Sequence, residues 1–248
     1  MSADDTKEIL HKVEAPKWAQ TFFDVSTKLS EDFLGGPKLL KTAWVVNFHK
    51  IITLFLIYGM MNYYQNFSTS AWVYLALHGV YGYCWLIKDF GFRDGNFQSR
   101  VTFGGAVMVY VALIAWYWLL PWLFISGNVQ PSNEMLAFAI ALHTLGVTWM
   151  ISADCQKHFS LKYRRGLITE GVFKYTRNPN FLGEIMIYGA YAFLVDHWIG
   201  YLVLAYGCTV FLSRMLVKDA SISRYPEWPT YKAQSSLLIP WKMFIPFK

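Results

Sequence analysis

The residue types best suited to chemistry are concentrated in residues 154–188, where basic side chains alternate with glycines, tyrosines and asparagines. Glycines let a ligand approach the backbone closely, and arginines bind phosphate through paired hydrogen bonds. The basic residues fall in a predicted loop of some two dozen residues: Lys157, Lys162, Arg164, Arg165, Lys174 and Arg177. This pattern predicts a binding site for a phosphate-bearing ligand. The alternative is a cluster that binds anionic lipid or fixes topology.

Glu184 is an acid at the start of an apolar stretch. It lies four residues after Asn180 and four before Tyr188, so the three side chains share one helical face. An acid in a membrane span is costly unless it is paired or solvated, which predicts a functional role. The alternative is a first-turn acid that offsets the helix dipole.

A second polar face is formed by Tyr74, His78 and Tyr81, which follow one another at helical spacing in an earlier apolar stretch, and Tyr58 lies in the stretch before it. A tyrosine can donate a proton to a developing enolate. We therefore take Tyr81, His78 and Tyr58 as catalytic candidates, with His78 tuning the tyrosine. The alternative is that these side chains satisfy hydrogen bonds between helices.

Composition decides which elements must position these residues. The chain is 55% hydrophobic and 15% charged, whereas soluble domains are about 45–50% apolar and about 25% charged. Too little charge remains to cover a water-facing surface. The net charge of +6 comes from basic residues that alternate with long apolar runs, so we expect membrane lipid or an anionic cofactor as partner and no nucleic acid.

The apolar runs predict an all-α, polytopic membrane bundle of about six spans, since a helix needs about 20 residues to cross the hydrocarbon. The last two spans form a hairpin around Asp196 and His197, and Pro121 is expected to kink the third span. The predicted spans are 43–63, 70–88, 102–126, 135–153, 181–195 and 198–217.

The chain before the first span, residues 1–40, is predicted as a separate N-terminal segment, and residues 41–248 as one membrane domain. The segment contains an apolar helical stripe of Trp18, Phe22, Val25, Leu29 and Phe33. This helix is expected either to lie along the membrane surface or to cap the bundle.

Topology follows from the basic residues. The links around 64–69, 127–134 and 196–197 contain no Lys or Arg. All basic residues therefore fall on one side of a six-span arrangement, and the positive-inside rule makes that side cytosolic. Both termini and the basic loop are then cytosolic.

Other site classes find no support in the sequence. The six histidines are scattered, so no metal site is predicted, and no GxSxG motif appears. The odd number of cysteines, Cys84, Cys155 and Cys208, predicts reduced thiols rather than a disulfide framework.

Residues 150–245 resemble the steroid 5α-reductase and sterol-reductase superfamily, with bacterial relatives of the 5α-reductases the most similar. The stretch GLITEGVFKYTRNPNFLGE resembles its C-terminal signature, and the tail RYPEWPTYKAQSSLLIP resembles its closing motif. The residues that carry the resemblance are Gly171, Phe173, Tyr175, Asn180, Leu182, Gly183, Glu184, Tyr225, Tyr231 and Pro240.

The resemblance implies an NADPH-dependent oxidoreductase that reduces a carbon–carbon double bond conjugated to a carbonyl. The substrate would be a lipophilic steroid-like or isoprenoid molecule. Asn180 and Glu184 would hold the nicotinamide end in a cytosol-facing cavity. The remaining cofactor-binding residues would be Asp154, Lys157, Lys162, Arg164, Arg165, Tyr175, Arg177, Arg214, Lys218 and Tyr225.

The sequence departs from that family in its N-terminal half. The 5α-reductases grip the steroid ketone with a glutamate there, but this chain has no acid between Asp32 and Asp89. An alternative resemblance is to isoprenylcysteine and phospholipid methyltransferases, which bind S-adenosylmethionine at a similar stretch. Asn180 stands where those enzymes favour an apolar residue. A non-catalytic lipid-binding protein is the third possibility, and the sequence leaves the oligomeric state open.

Overall fold

The computed structural model describes residues 13–244, and 76% of it is helical. A two-stranded antiparallel sheet pairs β1, Leu40–Lys41, with β2, Arg100–Val101. Short 3₁₀ turns occupy Gly95–Gln98, Gly171–Phe173 and Trp241–Phe244. The helices are α1 Lys17–Asp32, α2 Thr42–Tyr63, α3 Thr69–Gly91, α4 Phe103–Ser126, α5 Asn133–Tyr163, α6 Pro179–Val195, α7 Trp198–Ile222 and α8 Trp228–Gln234.

Helices α2 to α7 coincide with the six predicted spans. Four of them, α2, α4, α5 and α7, are long and apolar enough to cross a membrane, which indicates an integral membrane protein. Helix α6 has only 17 residues, and most of them are buried against other helices. The six-span count and the orientation of the termini stay predictions.

Local sequence signals set where these helices begin. Ser68, Thr102 and Ser132 each accept a hydrogen bond from a backbone N–H three residues later, and so cap α3, α4 and α5. Pro179 is the first residue of α6, where a missing N–H costs nothing. Asp196, with φ of 44°, ends α6 at the predicted hairpin tip.

Helix α4 is irregular in its middle. A π-helical stretch, Val109–Ile114, is followed by a 3₁₀ stretch, Ala115–Trp118, before the α-helix resumes at Leu119. Pro121 lies two residues after Leu119, and a proline has no N–H to donate to the preceding turn. The expected disturbance in this span therefore lies in the turns before Pro121.

Helix α5 continues ten residues beyond its predicted end and reaches Tyr163. The prediction that the basic loop begins near residue 154 was therefore wrong: Lys157 and Lys162 lie on the last turns of the helix, and the loop begins at Arg164. The helix can continue because its charged residues are good helix formers that no longer need an apolar environment.

Helices α5 and α6 cross at two glycines. A Cβ atom at Gly146 would lie 2.7 Å from the Gly183 carbonyl oxygen, and one at Gly183 would lie 2.6 Å from the Met150 amide nitrogen. Small residues allow such close backbone contact between helices in a membrane. The crossing positions Glu184, the next residue on α6, beside the C-terminal half of α5.

The N-terminal helix α1 packs against α4 and α7. Ala19 is fully buried, whereas Trp18 and Val25 of the predicted apolar stripe are about half exposed, at 49% and 52%. Thus α1 caps the bundle on one face and presents apolar side chains on the other.

Candidate functional site

A small internal cavity of about 20 Å³ lies among α2, α3, α4 and α6. That is room for one water molecule. Its walls are aromatic and basic: His49, Lys50, Thr53, His78, Tyr81, Tyr117, Trp118, Tyr188 and Tyr191. The cavity has room for a single oxygen atom of a ligand rather than for a whole small molecule, and its polar groups are suited to contacting such an atom.

Two tyrosines form the polar centre of this cavity. The phenolic oxygens of Tyr81 and Tyr188 are 2.7 Å apart and share a hydrogen bond, and both side chains are buried. Tyr117, from the irregular part of α4, stacks on Tyr188 at 4.2 Å between ring centroids. The irregular turns of α4 therefore deliver a third phenol to the same cavity.

The predicted face of α3 is present, but His78 does not contact Tyr81 through a hydrogen bond. Its Nδ1 lies 3.2 Å from the Tyr74 carbonyl oxygen, and its ring stacks on Tyr191 at 3.7 Å. Tyr191 donates to the Leu77 carbonyl at 3.3 Å and lies 3.1 Å from His143 Nε2. The geometry makes His78 a support for Tyr191 rather than a partner of Tyr81.

Tyr58, the third catalytic candidate, is 47% exposed and packs its ring against Trp72. Tyr74, by contrast, is fully buried and stacks on Phe124 at 4.2 Å. The structure therefore brings Tyr81 to the cavity and leaves Tyr58 on the outer surface of α2.

A charged layer lies next to the tyrosines, toward the ends of the helices where the basic residues fall. Lys88 and Asp154 form a buried ion pair, with Nζ 2.5 Å from the carboxylate oxygen. Glu184 is only 8% exposed, and within residues 13–244 its carboxylate has no hydrogen bond or ion pair. It lies one helical turn from Tyr188 on α6.

The carboxylate of Glu184, which accepts no hydrogen bond within residues 13–244, tests whether a nicotinamide cofactor fits this site. Lys88, Lys50 and Arg214 act electrostatically on this carboxylate, but none of them is within ion-pair distance. The carboxamide of a nicotinamide would supply the hydrogen-bond donor. Asn180, one turn earlier on α6 and half-buried, adds a side chain that can both donate and accept. The nicotinamide end of NADPH therefore fits these two residues.

The phosphate end of NADPH fits a smaller set of residues than the sequence predicted. Four of the predicted residues already have protein partners: Asp154, Lys157, Arg177 and Lys218. Four others are exposed and available: Lys162, Arg164, Arg165 and Lys174. The residues of this second group can bind phosphate without breaking a contact of the fold.

Arg177 is a predicted cofactor ligand whose side chain is instead used by contacts within the fold. Its guanidinium is buried, pairs with Asp219 at 2.9 Å, and donates to the Ser235 carbonyl oxygen at 2.8 Å. Tyr231 donates to the Phe173 carbonyl at 2.8 Å. These bonds fasten the chain after α7 onto the loop before α6.

The remaining predicted residues are near this junction. Tyr175 accepts hydrogen bonds from Ser236 at its carbonyl oxygen. Tyr225 accepts from Arg224 at 3.3 Å. Arg214 is half-buried on α7. None of these three is held by an ion pair within the described chain.

Sequence reasoning missed several residues of the cavity and the charged layer. Lys50 lines the cavity, although a lysine near the end of a span can equally extend to the membrane surface. Lys88, Tyr117 and Tyr191 were not among the site residues predicted from the sequence. The available signal was helical spacing: Lys88 follows Tyr81 by seven residues, on the same face of α3.

One family model matches the chain. Its description is "Protein of unknown function (DUF1295)", and it matches residues 91–235. The match includes Asp154 and Glu184 but not Lys50, Tyr81 or Lys88. No curated protein and no solved structure matches the chain.

Proposed function

The chain belongs to the DUF1295 family, and from that premise we propose that it is an NADPH-dependent membrane oxidoreductase. The reaction is reduction of a carbon–carbon double bond conjugated to a carbonyl, in a lipophilic steroid-like or isoprenoid substrate. The family is associated with steroid 5α-reductase-like membrane proteins. A membrane enzyme is compatible with the helical bundle.

The observation that carries the proposal is the buried Tyr81–Tyr188 hydrogen bond beside Glu184. Addition of hydride to a conjugated double bond moves negative charge onto the carbonyl oxygen. A donor placed in a dry cavity stabilises that charge far better than the same donor in water. Two linked phenols in an apolar bundle are suited to this task.

Each residue has a defined task in this proposal. Asn180 and Glu184 bind the carboxamide of the nicotinamide and orient it toward the tyrosines. The exposed basic residues Lys162, Arg164 and Arg165 bind the phosphates. When bound, NADPH supplies the hydride.

The tyrosines supply the proton that balances the hydride: Tyr81 passes its phenolic proton to the enolate oxygen, the enol tautomerises to the saturated ketone, and solvent returns a proton to Tyr81 after the product has left. Tyr81 Oη donates a hydrogen bond to the carbonyl oxygen of the substrate, and Tyr188 Oη donates to Tyr81 Oη. The second phenol thereby stabilises the charge that develops on the first, because linked hydrogen bonds strengthen one another. The apolar helices around the pair exclude water from the reacting atoms.

The experiment compares Tyr81→Phe and Tyr188→Phe with Tyr58→Phe, a matched change on the outer surface of α2. NADPH oxidation by conjugated ketones is measured in detergent, and NADPH affinity is measured on the same proteins. Removal of a donor to a developing oxyanion lowers kcat about 10²–10³-fold. We expect such a loss for Tyr81→Phe, a smaller one for Tyr188→Phe, and none for Tyr58→Phe.

NADPH affinity should be unchanged in all three variants, since the phenols do not contact the carboxamide. Full activity in Tyr81→Phe, or an equal loss in Tyr58→Phe, would contradict the assignment of the donor pair.

A further inference from the structure

Lys50 is the basic residue of the internal cavity. Its Nζ lies 4.0 Å from the centroid of the Tyr81 ring and 5.7 Å from that of Tyr188. Within residues 13–244 the ammonium has no hydrogen-bond acceptor and no ion-pair partner, so aromatic faces are its contacts. It therefore projects three unused donors beside the tyrosine pair.

The backbone fixes this position. A Cβ atom at Gly82 of α3 would lie 3.1 Å from the Lys50 carbonyl oxygen. Helices α2 and α3 are thus in direct backbone contact at Lys50, and its side chain begins from a rigid point. The side chain crosses to Tyr81, the residue before Gly82.

An ammonium in this position is costly for the fold. Cation–π contacts contribute about 0.5–2 kcal/mol, which does not replace the hydration lost when an ammonium is buried. Helices α2 and α3 carry no acid before Asp89 to neutralise it. Glu184 of α6 is the acid that acts electrostatically on Lys50, but the two groups are not within ion-pair distance, and Asp154 of α5 is paired with Lys88. A basic residue kept in the bundle interior at this cost is a functional candidate.

We infer that Lys50 is the cationic group that binds the carbonyl oxygen of the substrate. An oxygen placed in the cavity meets the Lys50 ammonium on one side and the Tyr81 phenol on another. Lys50 then stabilises the negative charge that develops on that oxygen. The ligand class is a lipophilic ketone whose oxygen enters the cavity between α2 and α3. This inference rests on the proposed function, and it makes Lys50 a catalytic residue of that reaction.

The test uses ligand pairs that differ at the oxygen alone. The probes are 4-cholesten-3-one with 4-cholesten-3-ol, and β-ionone with β-ionol. Oleate is added to represent a lipid carboxylate. Binding is followed by tryptophan fluorescence of the full-length protein in detergent, because Trp118 lines the cavity.

The variants are Lys50→Met, Lys50→Arg and Lys28→Met. Lys28 is exposed on α1, so its variant is the control for loss of one positive charge. Lys50→Met should fold, since it replaces a buried ammonium, whose loss of hydration is costly, by an apolar side chain of similar length. Melting curves check this directly, and Lys50→Arg keeps the charge if Lys50→Met does not fold.

We expect the wild-type protein to bind at least one ketone more tightly than its alcohol. Lys50→Met should lose about 10–100-fold in ketone affinity, as for loss of a charged hydrogen-bond partner, with alcohol affinity unchanged. Lys50→Arg should keep part of the preference, and Lys28→Met all of it. The inference would be overturned if the wild-type protein showed no preference for a ketone over its alcohol, or if Lys50→Met kept that preference. Lys50-dependent binding of oleate that is tighter than binding of either ketone would also overturn it.

The same proteins are titrated with NADPH, so that the two failures are separated. If the protein prefers ketones in a way that depends on Lys50 but does not bind NADPH, the Lys50 binding site is supported and the proposed reductase function is contradicted.

Discussion

Lys88 and Asp154 form an ion pair between α3 and α5 that is almost completely buried, with side-chain exposures of 5% and 4%. The Lys88 ammonium also lies 4.3 Å from the centroid of the Trp85 ring. Glu184 of α6 belongs to the same layer. The pair therefore ties two helices together beneath the tyrosine cavity and next to the carboxylate that we propose binds the nicotinamide.

Removal of one partner of this pair should be strongly destabilising. Lys88→Met leaves Asp154 as an uncompensated buried charge, and breaking a buried pair in this way costs about 3–5 kcal/mol. Asp154→Asn leaves the Lys88 ammonium unpaired and should cost a similar amount. Melting curves in detergent measure both effects.

The double variant Lys88→Met/Asp154→Leu is the matched control. Replacing both charges by apolar side chains of similar volume is often neutral or stabilising, so we expect it to melt near the wild-type temperature. Additive losses in the double variant would show that the two residues do not act as a pair.

Arg177→Met should destabilise the fold and release the end of the chain. The change removes the partner of Asp219 and the donors to Ser235, so a loss of about 3–5 kcal/mol is expected. Trypsin should then cut at Lys232 faster than in the wild-type protein. The control, Arg165→Met, is an exposed change in the loop and should stay within about 0.5 kcal/mol.

The sequence had placed Arg177 among the cofactor ligands, and this comparison separates the two roles. If Arg177→Met has normal stability and normal resistance to trypsin but binds NADPH more weakly, Arg177 is a cofactor ligand and the structural role is contradicted.

Stability at low pH should depend on Asp94, which lies in the loop after α3. Burial raises the pKa of the Asp94 carboxyl, but the Lys157 ammonium at 2.6 Å and hydrogen bonds from Lys157 and the Asn96 amide lower it by more. The folded pKa therefore lies below the ordinary value of 3.8. Ionised Asp94 contributes stability above that ordinary value and loses it as the pH falls through the folded pKa.

The measurement is the melting temperature from pH 7 to pH 3 for the wild-type protein, Asp94→Asn, and the exposed control Asp24→Asn. Asp94→Asn should be less stable than the wild type at pH 7, and the two should converge toward pH 3. Parallel curves at all pH values would mean that the Asp94–Lys157 contact contributes no proton-linked stability.

The helical order of the bundle could be read from the sequence because it depends on local signals. Apolar runs, capping residues such as Ser68 and Ser132, and the break at Asp196 are all visible along the chain. The shared face of Tyr74 and Tyr81 was equally accessible, since it follows from helical spacing alone.

The pairing of charges could not be read in the same way. The Lys88–Asp154 contact joins residues that are far apart in sequence. Helical spacing places Lys88 on the face of Tyr81, but it does not show which acid that face meets. Arg177 had a motif-like setting, but its partner Asp219 is fixed only by how α7 returns to the loop. Local patterns give candidates, whereas helix packing decides which of them are free to bind a ligand.

Topology gives a prediction that is independent of the site. Reporter fusions after residues 67, 130 and 197 should read non-cytosolic, because those links lack basic residues. Fusions after residues 95, 165 and 235 should read cytosolic. A cytosolic signal at residue 130 would contradict the six-span arrangement and place α4 and α5 differently in the membrane.

The proposed function requires that this membrane protein binds NADPH through Glu184 and Asn180. The direct measurement is a titration of the full-length protein in detergent with NADPH, NADH and S-adenosylmethionine, followed by the melting temperature. A ligand of the native state raises that temperature. We expect the largest rise with NADPH, and a smaller one with NADH if an exposed arginine such as Arg165 binds the 2′-phosphate.

The same titration is made with Glu184→Gln and Asn180→Ala, and loss of a hydrogen-bond partner of this kind costs about 1.5–3 kcal/mol, or roughly 10–100-fold in affinity. We expect both variants to fold and to lose NADPH affinity by that factor. Wild-type NADPH affinity in a folded Glu184→Gln protein, or a rise with S-adenosylmethionine alone, would contradict it.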